Sequence, residues 1–211
     1  MAEIEFYTNP MSRGQIVRWM LEEIGEPYEE KLLSYGPEMK SDAYLKLNPM
    51  GKVPTVVHKG RVITECAAIC AYMAEAFPEK DLTPTAEERA DYYRWMFFGA
   101  GPLEQAMTAN SLGWKPKDAK EGATTGFGSY DLVVDTLASH FAKHDYVCGA
   151  RFTAADVYVG AQVDWGMMFK TMPVRPEFEA YAGRLRDRAA YKKAKARDGE
   201  LIAAMQAAEE G

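Results

Sequence analysis

The 211-residue chain is poor in cysteine, with Cys66, Cys70 and Cys148 only, an odd set without a C-x-x-C pair. That argues against a disulfide scaffold or a dithiol redox motif and suits a reducing compartment. Cys66 and Cys70 lie one helical turn apart and read as two small apolar side chains on one face. Histidine is equally scarce: His58, His140 and His144 stand at no zinc-ligand spacing to these thiols, so no metal is expected. No apolar run approaches the length of a membrane span, and the first ten residues, MAEIEFYTNP, carry acids where a signal peptide carries bases. A cytoplasmic protein with no membrane partner is expected. Positive charge is in deficit, 25 Lys plus Arg against 31 Asp plus Glu, a net charge of −6, which speaks against a nucleic-acid or anionic-membrane surface. Repeats and low-complexity tracts are missing too. What remains, 47% hydrophobic and 27% charged, is an ordinary globular composition, long enough for one or two domains.

Strand and helix signals alternate in the first third of the chain. Residues around Ile4 and Phe6 alternate as a strand, and Thr8 to Ser12 is a turn-rich link. A helix runs from Arg13 with Ile16, Val17, Met20, Leu21 and Ile24 on its apolar face, Gly25 as C-cap and Pro27 as stop. Tyr28 to Leu33 reads as a second strand and Glu38 to Leu47 as a short helix. Val53 to Val57 and Arg61 to Thr64 are short β-branched runs around Lys59-Gly60, a hairpin whose Gly60 can take a positive φ. From Glu65 the period becomes helical through Cys66, Ile69, Cys70, Met73 and Phe77, until Pro78. The order βαβα then ββα is that of a thioredoxin-like domain. Beyond a polar linker only helices follow. Thr85 with Glu88 forms a capping box, Gly99, Gly101 and Pro102 interrupt the helix it opens, Gly113 to Gly128 is loop-like, and a helix carries Leu132, Val133, Leu137 and Phe141. Thr153 caps a further helix with Asp156 reciprocating and Phe152 placed to staple onto Val157. Asp156 therefore reads as a folding residue. The last clear helix runs from Pro176 to about Arg188, and the basic residues around it, Arg184 to Lys195, read as a solvated face.

Two features in the stretch Leu47 to Phe77 go beyond packing. Pro54 opens a strand, where its missing N–H is tolerable, and the Val53–Pro54 bond is a candidate for the cis form. A cis bond there would turn the N–H and C=O of Val53 outward, ready to pair with an extended peptide. At Thr64-Glu65-Cys66 strand becomes helix, so unpaired N–H groups gather beside an acid: one can hold a carboxylate, the other an ammonium.

NPMGKVPTV followed by ITE and an Ala-rich helix resembles the glutathione-binding half of cytosolic glutathione S-transferases, and the similarity continues through most of the chain. The resemblance implies an α/β thioredoxin-like N-terminal domain over residues 1–78 that binds glutathione. A linker over 79–85 and an all-α helical C-terminal domain over 86–211 contributing an electrophile site would follow. It further implies that Val53, before Pro54, pairs its backbone with the cysteinyl unit, that Glu65 and its successor grip the γ-glutamyl end, and that Lys52 meets the glycyl carboxylate. Cys66 stands where the family has serine, so only its backbone N–H carries over. Glutathione would be a cosubstrate, a small hydrophobic electrophile the second substrate, and the protein a homodimer.

Such a transferase must hold as thiolate a thiol whose ordinary pKa is about 8.5. A neutral hydroxyl donor at a helix start does this without ionising itself. Ser12, just before the first helix, resembles the catalytic serine of theta-like classes or the cysteine of the beta class. Tyr7, at the end of the first strand, resembles the tyrosine of the alpha, mu and pi classes, but those reach their Arg-Gly pair sooner than this chain reaches Arg13-Gly14. That favours Ser12, with Tyr7 the alternative. By the resemblance, the electrophile would meet Met11, Phe98, Glu104, Met107 and Trp114, a soft, Met-bearing set suited to several small hydrophobic substrates. The same site could serve peroxide reduction, isomerisation or a lyase step, and transferase-like domains also serve as non-catalytic ligand-binding or assembly modules. Disulfide reduction of the glutaredoxin type would want a cysteine near Ser12, and none is present.

Overall fold

A computed structural model describes residues 3–209. Contacts divide the chain into two compact units, one running to Lys80 and resuming at Asp187, the other Asp81–Arg186.

The first unit is built on a four-stranded mixed sheet in the order β2-β1-β3-β4. β1 (Ile4–Thr8) pairs parallel with β2 (Tyr28–Leu32) and antiparallel with β3 (Thr55–His58), which pairs antiparallel with β4 (Arg61–Ile63). Period-two alternation buries Ile4, Phe6 and Thr8 on one face of β1. Two helices supply most of the remaining core. α1 (Gly14–Ile24) buries the apolar stripe read from the sequence and ends on Gly25 at φ 74°, whose N–H donates to the Leu21 carbonyl. The stretch expected as one short helix is a 3₁₀ turn, Glu38–Lys40, then α2 (Asp42–Leu45). α3 (Cys66–Ala76) buries Cys66, Ile69, Cys70 and Met73.

The second unit contains α4 (Arg89–Phe98), α5 (Glu104–Ser111), α6 (Ala119–Thr124), α7 (Tyr130–Phe141), α8 (Ala154–Met168) and α9 (Pro176–Arg186). Between α4 and α5 the glycines and Pro102 produce a π-helical segment, Gly99–Leu103, rather than a break. Thr85 and Glu88 exchange backbone N–H bonds ahead of α4, and Thr153 and Asp156 do so ahead of α8. Within the stretch expected as loop, Asp118 caps α6 by accepting from the N–H groups of Lys120 and Glu121.

The tail departs from expectation. α9 stops at Arg186, and a separate α10 (Ala189–Glu209) packs in the first unit against α1, although residues 86–211 read as one helical domain. Its buried positions, Tyr191, Ala194, Asp198 and Leu201, keep helical spacing but include a carboxylate, which hides the stripe. Asp198 accepts from Arg18 Nε at 2.7 Å, and the same fully buried guanidinium pairs with Glu30. Several basic residues expected on a solvated face are partners instead. Arg188 grips Glu23 through two bonds of 2.6 and 2.7 Å, Lys193 meets Glu22 at 2.7 Å, and Lys195 donates to Gln15. In the second unit Arg186 reaches the buried Asp164 at 2.7 Å.

No helix among the described residues is long and apolar enough to cross a membrane.

Candidate active site

The site is assembled at one end of the first unit's sheet, where β1 ends and β3 begins. The link from Thr8 to Gly14 is tightly specified. Asn9, only 1% exposed, accepts from the Met11 N–H through Oδ1 at 2.9 Å and donates through Nδ2 to the Leu33 carbonyl at 2.9 Å, fixing the turn to the end of β2. The Ser12 hydroxyl donates to the Asn9 carbonyl at 2.7 Å and accepts from the Gly14 N–H at 2.9 Å. Ser12 is thus held by two bonds, half-buried, at the threshold of α1. Position 14 has no room for a side chain, because a Cβ there would lie 2.0 Å from Thr8 Oγ1 and 3.0 Å from Ser12 Oγ.

Across the sheet end, the Val53–Pro54 bond is cis. The register that sets Tyr7 opposite Thr55 carries Val53 to the same end as Asn9. The residue before it is clamped: the Lys52 carbonyl accepts from Tyr44 Oη at 2.6 Å and from Asn48 Nδ2 at 2.7 Å, while the Tyr44 and Thr55 hydroxyls share a bond of 2.9 Å. Among the described residues neither the N–H nor the C=O of Val53 meets a protein partner, which leaves one peptide unit open beside a rigid frame. The Lys52 side chain is exposed. A second cation, which sequence reading missed, lies close by: Lys40 Nζ donates to the carbonyls of Met50 and Gly51, 3.0 Å each. Eleven residues, including a helix, separate it from Lys52, so no local pattern marks it.

The third part is the start of α3. Glu65 precedes it at φ 65°, ψ 116°, a backbone region that non-glycine residues rarely occupy and that costs about 1–3 kcal/mol. Its side chain is exposed and makes no cap bond to the helix. Cys66, the first helical residue, is 8% exposed and directs its thiol to the Arg13 carbonyl at 3.7 Å, so the start of α3 abuts the link that carries Ser12. N–H groups of the first helical turn lack intrahelical acceptors and lie at the positive end of the dipole. Cys70, one turn on, is fully buried, and burial pushes its thiol well up, out of reach of thiolate chemistry.

Tyr7 projects from the other face of β1, half-buried beside Tyr44 with ring centroids 5.8 Å apart. Its hydroxyl donates to Glu5 at 2.8 Å, and burial followed by that carboxylate pushes its pKa up to about 12. The residues expected at an electrophile site divide between the units. Met11 is exposed in the first. In the second, Phe98 lies edge-on to Trp95, Glu104 accepts from Tyr158 at 3.4 Å, Met107 is half-buried in α5, and Trp114 is 68% exposed. Among the described residues no group of three or more His, Cys, Asp or Glu side chains could hold a metal ion.

A thioredoxin-like unit joined to a helical one, with an open peptide edge flanked by a hydroxyl and an acid, defines the class of protein. Residues 11–76 match the family model of the glutathione S-transferase N-terminal domain. Glutathione S-transferase 3 of Schizosaccharomyces pombe is 31% identical over 162 residues, 69% of this chain and 66% of its own. Protein LigF of a Sphingobium species is 48% identical over 157 residues, 57% of this chain and 61% of its own. The chain therefore spans somewhat under two thirds of these two curated relatives. The theta class glutathione S-transferase of Xanthomonas axonopodis pv. citri, solved with glutathione bound, has the same fold, with a TM-score of 0.72 at 24% identity over 92% of this chain and 97% of that one. The chain belongs to the glutathione S-transferase family.

Proposed function

We propose that the protein is a glutathione transferase whose first unit binds the tripeptide along Val53 and presents its sulfur to Ser12. The observation that carries this reading is the meeting of the Cys66 thiol with the Arg13 carbonyl, which sets the acid at the start of α3 beside the hydroxyl at the start of α1. The γ-glutamyl ammonium faces Glu65, and its carboxylate takes the first-turn N–H groups of α3. The cysteinyl amide pairs with the N–H and C=O of Val53 as an added strand would. Lys52 and Lys40 face the glycyl carboxylate. The thiol gives its proton to solvent and the thiolate attacks the electrophilic carbon; a C–S bond forms as the leaving group departs with its bonding pair.

Lowering a thiol pKa by about 2 takes about 2.7 kcal/mol. One charge-assisted hydrogen bond supplies about 1.5–3 kcal/mol and a helix start about 0.3–1 kcal/mol, so Ser12 and α1 suffice together. Tyr7 is assigned no part, because its proton is committed to Glu5. A small hydrophobic electrophile, a homodimeric state, a cytoplasmic place and a role in detoxification belong to the same proposal, and they rest on family resemblance.

The test is the ultraviolet thiolate absorbance of bound glutathione against pH, together with conjugation of a chloronitrobenzene. Ser12→Ala should raise the bound-thiol pKa to about the free value near 8.5 and lower turnover about tenfold or more, with Tyr7→Phe near wild type. The reverse ranking would overturn the assignment.

A further inference from the structure

We infer that Asn9 is a positioning residue for thiolate formation, a role that rests on the proposed reading of Ser12. A buried amide in a surface turn needs a reason, and here both of its side-chain bonds fix the turn that carries Ser12. Its Oδ1 and Nδ2 tie the turn to the Met11 N–H and the Leu33 carbonyl. Those two bonds aim its own main-chain carbonyl, which accepts from both the Ser12 N–H at 3.1 Å and the Ser12 Oγ–H at 2.7 Å.

That double acceptance matters for the chemistry. To serve a thiolate, the Ser12 proton must leave the Asn9 carbonyl and turn toward sulfur. Its oxygen stays where it is, because the Gly14 N–H continues to donate to it at 2.9 Å. The Asn9 carbonyl is not orphaned either, because it keeps the Ser12 N–H. The hydroxyl therefore has a resting and a working direction about one fixed oxygen, with no buried group unpaired in either. The incoming Gly14 bond also polarises the hydroxyl and strengthens it as a donor. Removing the amide frees the turn and with it the place of that oxygen.

Asn9→Ala and Asn9→Ser, read as glutathione complexes, test this against wild type and Ser12→Ala. Asn9→Ala should leave roughly three- to tenfold less thiolate at pH 6.5 and lower kcat there by the same factor, with recovery to within about twofold at pH 9 and the KM for glutathione within about twofold. Asn9→Ser, whose hydroxyl can still accept from the Met11 N–H, should fall between, and it carries the test if Asn9→Ala does not fold. A bound-thiol pKa equal to wild type in the variant that folds, with kcat reduced evenly at all pH, would make Asn9 merely structural and overturn the inference. If wild type and Ser12→Ala share one thiol pKa, it is the reading of Ser12 that fails, and this inference with it.

Discussion

The acids at the starts of α8 and α3 are used in opposite ways. Asp156, in the first turn of α8, is fully buried and accepts from the Val147 N–H at 2.7 Å, the Thr153 N–H at 2.8 Å, the Thr153 hydroxyl at 3.2 Å and the Tyr181 hydroxyl at 3.0 Å. Glu65, just before α3, is exposed, caps nothing and sits at a positive φ. The first is saturated by the donors around it. The second leaves donors and acid open on a strained backbone. An acid satisfied by its own chain holds a fold together, whereas one held open at a cost in stability is available to a guest.

The contrast can be broken by substitution. Asp156→Ala orphans two buried N–H groups and a buried hydroxyl, and should remove about 3–5 kcal/mol of unfolding free energy in a denaturant titration. A loss below about 1 kcal/mol would take away its structural role. Burial, outweighing four hydrogen bonds that pull the other way, pushes the Asp156 carboxyl up to about 6. The folded state then binds this proton more tightly than the unfolded chain, so the contribution of Asp156 is full below about pH 4 and lost as pH rises to about 6. Relative to Asp156→Asn, wild-type stability should fall by about 3 kcal/mol across that window and run parallel above it. Parallel curves throughout would mean that the hydrogen bonds cancel the effect of burial, and a wild-type stability that rises with pH would mean that they outweigh it. Glu65→Gln keeps size but not charge, and should raise the glutathione KM about tenfold, about 1.4 kcal/mol, with unfolding unchanged. Smallest of all, Glu65→Gly relieves the positive φ at the cost of glycine's extra chain entropy, for a net gain of about 0–1 kcal/mol in stability beside the same loss of affinity. A glycine variant less stable than wild type would show that the backbone at 65 is unstrained.

Legibility followed the range of the interactions. Thr85 with Glu88 and Thr153 with Asp156 act within three residues, and the sequence carries them in full, whereas Gly99 and Pro102 mark a disturbance in the helix without its π-helical form. NPMGKVPTV is just as local, and its turn, clamp and strand start lie within one short stretch. α10 was missed because its seam includes Asp198, whose partner Arg18 lies 180 residues away. Lys40 escaped notice because only folding brings it to the Gly51 carbonyl, and α6 because six residues hold too little periodicity. The conformation of Glu65 had no signal at all, since positive φ is announced by glycine and here the residue is an acid.

Calorimetric binding of glutathione and of its analogue lacking the γ-glutamyl amine, to wild type and to Glu65→Gln, tests the open acid most directly. Wild type should favour glutathione by about tenfold or more, and Glu65→Gln should bind the two alike. A variant that keeps the full preference would show that the ammonium lies elsewhere, and the placement of the tripeptide along Val53 would have to be given up.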